Sequence, residues 1–272
     1  MDFINYETDN KVAVITLDRP EKSNAQHAPM LRELDSAWDT AAADDDIRVI
    51  VVRANGKHFS AGHDLSDEGK HWWSQEVDIQ NKGLEAVYQW ERTHYLGFTR
   101  KWRDIPKPSI AAVQGACIAG GLMLAWPCDL IIAADDAKFS DPVARMAIGG
   151  VEYHGHTWEL GARKAKELLF TGRYLGAEEA EKLGMVNRVV SRDSLDSETM
   201  QLAHEIAEMH PFGLAAAKRA VNQTLDIMGF YASLQSVFDI HATGHGNALS
   251  VTGGKATILS NLQEMKSGAK HV

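Results

Sequence analysis

Cysteine is scarce in this chain: Cys117 and Cys128 are the only two in 272 residues. Both sit in apolar company, which excludes a disulfide scaffold or a zinc knuckle and fits a reducing cytosol. Positive charge is also short, with 28 Lys and Arg against 37 Asp and Glu, a net charge of −9. No basic block offsets that balance, so neither nucleic acid nor a membrane surface is an expected partner. The opening MDFINYETDN lacks the cationic and apolar segments of a signal peptide. An unbroken apolar run is missing as well. The longest stretch, Ala116 to Ala134, is interrupted by Gly120, Gly121, Pro127 and Asp129, and reads as turn, short helix and strand. The expectation is a soluble cytoplasmic protein, long enough to bury a sizeable core.

Within that frame the apolar residues alternate between two periods. KVAVITL (11–17) and IRVIVVRA (47–54) read as strands, the second continuous enough to be buried on both faces. SIAAVQG (109–115), DLIIAA (129–134) and GMVNRVV (184–190) repeat the pattern. Helical spacing marks Leu31 to Ala41, then 162–170 and 177–183, and most of the chain after Ser194, where MHPFG (209–213) separates two segments. Strand–helix alternation with a helical tail predicts an α/β fold with a C-terminal helical subdomain. Residues 1–195 would form the core, and 196–272 a helical region for oligomerisation or as a lid. The stretch 66–103 is the least regular. Its Trp72, Trp73, Tyr88, Trp90, Tyr95, Phe98 and Trp102 fit either a pocket-lining insertion or a plain packing element.

Several motifs fail on inspection. TGGKAT (252–257) has Leu249 and Ala256 where a P-loop needs Gly and Ser or Thr, and GHGNAL (244–249) lacks the third glycine of a dinucleotide fingerprint. HFSAG (58–62) begins with His58 where a nucleophile elbow needs Gly. The pairs His154/His156 and His241/His245 have no third ligand at sensible spacing, so no metal site is expected, and the glycines beside both pairs suggest tight turns.

The remaining signal is IAGGLML (118–124), an apolar run split by a glycine pair. Gly120 and Gly121 open a helix, so their N–H groups lack intrahelical acceptors, and without a Cβ a ligand can approach the backbone. SAGHDL (60–65) is a second small-residue turn after a buried strand. Two such turns side by side would make an oxyanion hole, each donor worth about 3–4 kcal/mol to a developing negative oxygen.

Five stretches carry a resemblance: VAVITLDRPEKSNA (12–25), HFSAGHDL (58–65), PKPSIAAVQGACIAGGLMLAWPCDLIIAADDAKFSDP (106–142), KELLFTGRYLGAEEAEKLGMVNRVV (166–190) and AAAKRAVN (215–222). Together they resemble the crotonase, or enoyl-CoA hydratase/isomerase, superfamily over nearly the full length. The resemblance implies a crotonase-like spiral of ββα turns and a homotrimer or dimer of trimers. It also implies an acyl-CoA thioester substrate, as in fatty acid and lipid metabolism, with coenzyme A as part of the substrate and no further cofactor. It implies that the N–H groups of Ala61 and Gly120 hold the thioester oxygen and that Lys22 and Ala25 flank the CoA. The segment Ala61, Gly62, His63, Asp64 and Leu65 would touch adenine and pantetheine.

The family's hydratases carry two glutamates, which the resemblance places at Met123 and Val143. Neither side chain is an acid or base, so both only line the substrate pocket, and each loss should cost about 10²–10⁴ in rate. A replacement set is available nearby. Asp141, held extended by Pro142, faces the same way as residue 143. GGVEYHGHTWE (149–159) adds Glu152, His154 and His156, among which a histidine oriented by Glu152 or Asp141 is the expected general base. His63 and Asp64 are expected to serve the turn. The reading is an acyl-CoA enzyme, a lyase or isomerase, with an oxyanion hole and a non-glutamate acid/base set. A CoA-ester or C–C hydrolase, a non-catalytic acyl-CoA binder and an assembly protein are the alternatives.

Overall fold

The computed structural model describes residues 1–258. Along the chain run β1 (Ile4–Asp9), β2 (Val12–Leu17), α1 (Ala28–Ala43), β3 (Val49–Ala54), α2 (Asp67–Glu76), α3 (Ile79–Lys82) and α4 (Leu84–Glu91). A π-helical turn, Arg92–Gly97, leads into α5 (Phe98–Asp104), β4 (Ser109–Val113), β5 (Ala116–Ile118), α6 (Leu122–Ala125), β6 (Leu130–Ala134) and β7 (Lys138–Ser140). Then come α7 (His156–Thr171), β8 (Leu175–Gly176), α8 (Ala177–Leu183), β9 (Arg188–Val190), α9 (Leu195–Ala207), α10 (Pro211–Ile227) and α11 (Phe230–Thr252). Among the described residues no helix is long and apolar enough to cross a membrane.

The larger sheet has the order β1-β2-β3-β4-β6-β9, antiparallel only at β1/β2. Its central strands are buried on both faces, and alternation divides their side chains between two cores. Ala13, Ile15, Ile50, Val52, Ala111 and Val113 join the main core with α1 and the 87–105 aromatics. Val12, Val14, Val49, Val51, Ile110 and Ala112 face the other way, against Leu195, Ala203 and Ala207 of α9. Helix α9 is therefore part of the core, although it lies beyond the expected boundary at 195. The last expected region continues as α10 and α11, and 259–272 lie outside the described residues.

Two local expectations change. The stretch 66–103 is helical nearly throughout, and several of its aromatics pack into the main core. Trp102 stacks on Trp38 with ring centroids 5.9 Å apart, while Tyr95 stacks on His63 at 3.9 Å. His241 and His245 lie inside α11 rather than at a turn. Gly244 is there because a Cβ would stand 2.8 Å from the Ala147 carbonyl oxygen, so the helix rides directly on that backbone.

The smaller sheet, β5-β7-β8, brings the two small-residue turns together. Residues 59–60 lie along 114–118, with Phe59 N–H donating to the Gln114 carbonyl (2.8 Å), Ser60 N–H to Ala116 (3.0 Å) and Ile118 N–H back to Ser60 (3.0 Å). Beyond this ladder the two chains come too close for side chains. A Cβ on Gly62, which sits at φ +90°, would meet the Ile118 oxygen at 2.7 Å, and one on Gly121 would meet the Ser60 oxygen at 2.7 Å. Both obstacles are backbone and cannot swing aside. Gly62→Ala should therefore destabilise the protein by roughly 2–4 kcal/mol, adding left-handed strain to overpacking. Thermal unfolding reads this as a Tm lower by about 4–16 °C, at about 2–4 °C per kcal/mol. An unchanged Tm would show that the approach is looser than this.

Candidate active site

The first turn is anchored by charge. Arg19, buried, donates through Nη1 to Asp64 Oδ2 at 2.6 Å and to the Ala25 carbonyl at 2.9 Å. Burial alone would raise the Asp64 carboxyl, but hydrogen bonds from Ser66 and Arg19 outweigh it and hold the group below its ordinary value. Asp64 thus fixes the turn, as expected. Gln26 ties the two turns together: its N–H donates to the Gly62 carbonyl and its Nε2 to the Gly120 carbonyl, both at 2.8 Å.

Ala61 requires a correction. Its N–H already donates to the Ser23 carbonyl at 2.9 Å and faces inward. Gly62 C=O and Asp64 N–H both bond to Gln26, so in this extended segment the N–H of His63 points to the opposite side. Among the described residues no hydrogen bond satisfies it. The N–H of Gly120 is likewise free, because it falls in the opening turn Ala119–Gly121, where Leu122 N–H makes the bond to Ala119. Ala119 holds this turn at φ +47°, a left-handed conformation that costs a non-glycine residue about 1–2 kcal/mol. The helix that follows is only one turn long, so its dipole adds little. The free N–H is what matters.

The His63 ring fills the space beside Gly120. A Cβ there would lie 2.7 Å from its Cε1 and 2.9 Å from its Nδ1, which explains why position 120 lacks one. Nε2 lies 3.2 Å from Glu152 Oε2, and since a carboxylate can only accept, Nε2 carries the proton. Nδ1 is then a bare lone pair, buried and without a hydrogen-bond partner among the described residues. Tyr95 covers the ring's face; burial, with Glu152 and Glu91 nearby, pushes its phenol well above the usual range, so it stays neutral.

The other candidates are placed differently. Asp141 is fully buried and accepts from Val143 N–H (3.4 Å) and Val151 N–H (2.9 Å). Its Oδ2 also stands 2.9 Å from His156 Nε2, at ion-pair distance but off the line of a ring N–H hydrogen bond. Burial alone would raise Asp141, but His156 and the two N–H groups hold it down. The expected Asp141–His156 pairing is present, sealed in the core against the edge of Trp126. Glu152 pairs with His63 rather than with His154 or His156. Burial, then the neighbouring His156, pushes His154 down to about 4, so it is neutral near pH 7. Met123 is buried on α6 directly after the glycine pair, and Val143 is buried where the chain leaves Pro142. Lys22 is exposed and Ala25 buried on the loop beneath the first turn, with Leu65 half-buried at its end. The sequence places His63 in the turn without its link to Glu152, and Tyr95 only among the aromatics of 66–103; nothing in the spacing of Tyr95 marks its stacking on His63.

Comparison with known proteins shows the family. A family model described as enoyl-CoA hydratase/isomerase matches residues 7–243. The chain is 45% identical over 267 residues to EchA13 of Mycobacterium tuberculosis, named as an enoyl-CoA hydratase, covering 93% of this chain and 84% of that one. It is 33% identical, over 82% of each chain, to an Escherichia coli protein named 1,2-epoxyphenylacetyl-CoA isomerase. The crystal structure of a probable enoyl-CoA hydratase from Mycobacterium smegmatis, 62% identical, superposes with a TM-score of 0.87 over 94% of this chain and 100% of that one. The chain belongs to the enoyl-CoA hydratase/isomerase family, with its crotonase fold, and is an enzyme of it.

The buried carboxylate at 141 makes a test of stability. Asp141→Ala leaves two N–H groups and an imidazole facing nothing, and should cost about 3–5 kcal/mol. Because the folded carboxyl titrates below its unfolded value, its contribution is present above the unfolded value and disappears as pH falls through the folded one. Denaturant unfolding should show a constant gap between wild type and variant over about pH 6–8 that narrows below about pH 4. A gap that widens in acid would contradict the assignment.

Proposed function

We propose that the chain binds an acyl-CoA thioester with its carbonyl oxygen between the N–H groups of His63 and Gly120. We further propose that His63, oriented by Glu152, moves the proton. The observation that carries this is the bare, buried Nδ1 of His63 beside Gly120, with Nε2 held by Glu152 at 3.2 Å. Lys22, Ala25, Gly62 and Leu65 would follow the CoA moiety, and Met123 and Val143 would line the acyl end.

One base without a second carboxylate favours a proton shift over water addition. Hydration needs one group to deprotonate water and another to protonate carbon; an allylic isomerisation needs only one that takes a proton and returns it. In a 3-enoyl thioester, Nδ1 would remove the α-proton, the electron pair would delocalise onto the thioester oxygen, and the two N–H groups would hold that charge. The same proton returned to the γ-carbon gives the conjugated 2-enoyl thioester, with atoms and charge balanced. The Escherichia coli relative, named as an isomerase of an epoxide-bearing acyl-CoA, supports only that relatives of this chain include CoA-thioester isomerases. The apolar side chains exposed on and beside α10, Phe212 (77%), Val221 (62%), Ile227 (79%) and Met228 (66%), support assembly into a trimer or dimer of trimers. Light scattering should then give a particle three or six times the 30.0 kDa chain. The buried, free Cys117 and Cys128 support a cytoplasmic location.

The test is kinetic. A panel of 3-enoyl-CoA thioesters should be turned over, while hydration of crotonyl-CoA stays slower by about 10²-fold or more than in a two-carboxylate hydratase. His63→Gln should lower kcat about 10²–10⁴-fold with little change in acyl-CoA affinity by calorimetry. Full turnover by His63→Gln would move the base elsewhere, to the neutral His154 first. Loss of all acyl-CoA binding in the folded wild type would overturn the whole reading.

A further inference from the structure

Behind Glu152, away from the His63 ring, lies a second group of titratable side chains that the proposed reaction does not use. His241 and His245, four residues apart on α11, project from one face of the helix into the core. Each turns Nδ1 toward a main-chain carbonyl at 2.7 Å, His241 to Gly150 and His245 to Ala256. A carbonyl only accepts, so both Nδ1 atoms carry protons and both Nε2 atoms are the open ring nitrogens of the neutral rings. These two Nε2 atoms stand 3.1 Å apart. Glu91, at the end of α4, reaches both, with Oε2 3.3 Å from His241 Nε2 and Oε1 3.2 Å from His245 Nε2. All three residues are buried, with their ligand atoms within 4.8 Å of one another.

Protons alone satisfy this group poorly. With both rings neutral, two lone pairs face each other at 3.1 Å. With one proton added, a single positive charge faces two buried carboxylates, Glu91 and Glu152, the latter with Oε1 3.5 Å from His241 Nε2. With two protons added, a pair of imidazolium rings is forced into contact. A divalent cation removes the lone-pair conflict and balances both carboxylates. The environment is already cation-seeking. Burial lowers His241, yet Glu152 and Glu91 carry it up to about 9, and the histidines hold Glu91 below its ordinary range against its own burial.

The dimensions fit a metal. Ligand atoms at 2.0–2.1 Å from a tetrahedral ion stand about 3.3 Å apart; the two Nε2 atoms are 3.1 Å apart, and Glu91 presents one oxygen to each ring, Oε2 to His241 at 3.3 Å and Oε1 to His245 at 3.2 Å. A second ring nitrogen tied to a main-chain carbonyl is the usual support of a metal-bound histidine. Two imidazoles and one carboxylate suit zinc and its first-row neighbours, whereas calcium and magnesium need oxygen ligands. We propose that Glu91, His241 and His245 bind one divalent transition-metal ion, zinc by its ligand set, which ties α11 to α4. Glu152 lies between this ion and His63, so the ion would also fix the carboxylate that orients the ring. The sequence spacing shows only the histidine pair. The third ligand lies 150 residues earlier in the chain and is brought in by the fold.

The test uses the tag-free full-length chain, purified without chelator, and elemental analysis. It should contain close to one zinc per chain. After stripping with a chelator, added zinc should restore one equivalent and raise Tm by roughly 5–10 °C at a hundredfold excess over Kd, with no such effect from magnesium. Cobalt(II) in place of zinc should give visible bands of a four-coordinate site. Glu91→Gln and His245→Gln should lose the metal while still binding acyl-CoA. If a variant fails to fold, the wild-type titration decides alone. A folded wild type that takes up no stoichiometric zinc and shows no Tm shift overturns the proposal, leaving the group to share protons. Uptake that persists unchanged in both folded variants overturns it equally.

Discussion

The site depends on the close approach of two main chains, Ser60–His63 against Ala116–Gly121. Peptide groups there bond directly across the gap, and the next positions leave no room for a Cβ at Gly62 or Gly121. Two consequences follow. The proposed donors are backbone N–H groups whose positions are set by the ladder beside them, so they would need no reorganisation when charge develops. Glycine at 120 has a different cause from glycine at 121: position 121 is small because the Ser60 carbonyl passes it, whereas position 120 is small because an imidazole occupies that space.

Regular secondary structure holds little of what surrounds this contact, and buried charge takes its place. Arg19 fastens the first turn through Asp64. Asp141 gathers Val143 and Val151, so the bend after β7 and the start of the 151–156 turn are held by one carboxylate. Each such group sacrifices hydration, and a buried ion pair adds little net stability compared with an apolar pair of the same shape. What it does is select one loop conformation, because any other leaves a charge or an N–H unpaired in the core. That is a reason for loops of this kind to carry Arg, Asp and Glu at positions where a core would otherwise take Leu.

The main strands and the two small-residue turns could be read from periodicity and from small residues at strand ends, because both are local signals. Glycine at 62 and 120 marked the two turns correctly. The N–H of Ala61 is taken up by Ser23, which spacing does not show, since the direction of an N–H depends on which neighbour pairs with the carbonyl beside it, here Gln26 from another element. The expected acid/base group, Asp141, Glu152, His154 and His156, is close in sequence to the glutamate positions that the resemblance implies. The base proposed from the fold is His63, whose partner Glu152 belongs to that expected group and comes from 89 residues away. Glu91 is not singled out in the sequence and Tyr95 only as one aromatic among seven, because their partners are supplied by the fold, and a helical stretch rich in Trp and Tyr shows nothing locally to tell one ring's contacts from another's.

Placing the donor N–H and the proposed base on one residue constrains the chemistry more tightly than a separate carboxylate would. The backbone of His63 is fixed by the Gln26 bridge, its ring by Tyr95 on one face and Gly120 beside it, and its tautomer by Glu152. Little freedom remains between the atom that would receive the proton and the atoms that would hold the oxyanion. Such a unit favours removal of a proton from the carbon next to the thioester, which lies one bond from the held carbonyl. It has no corresponding way to place a water over the next carbon, because Met123 and Val143 offer it no hydrogen bond. On the proposed reading, the apolar side chains at 123 and 143 and the backbone donors point the same way, toward enolate chemistry and away from water addition.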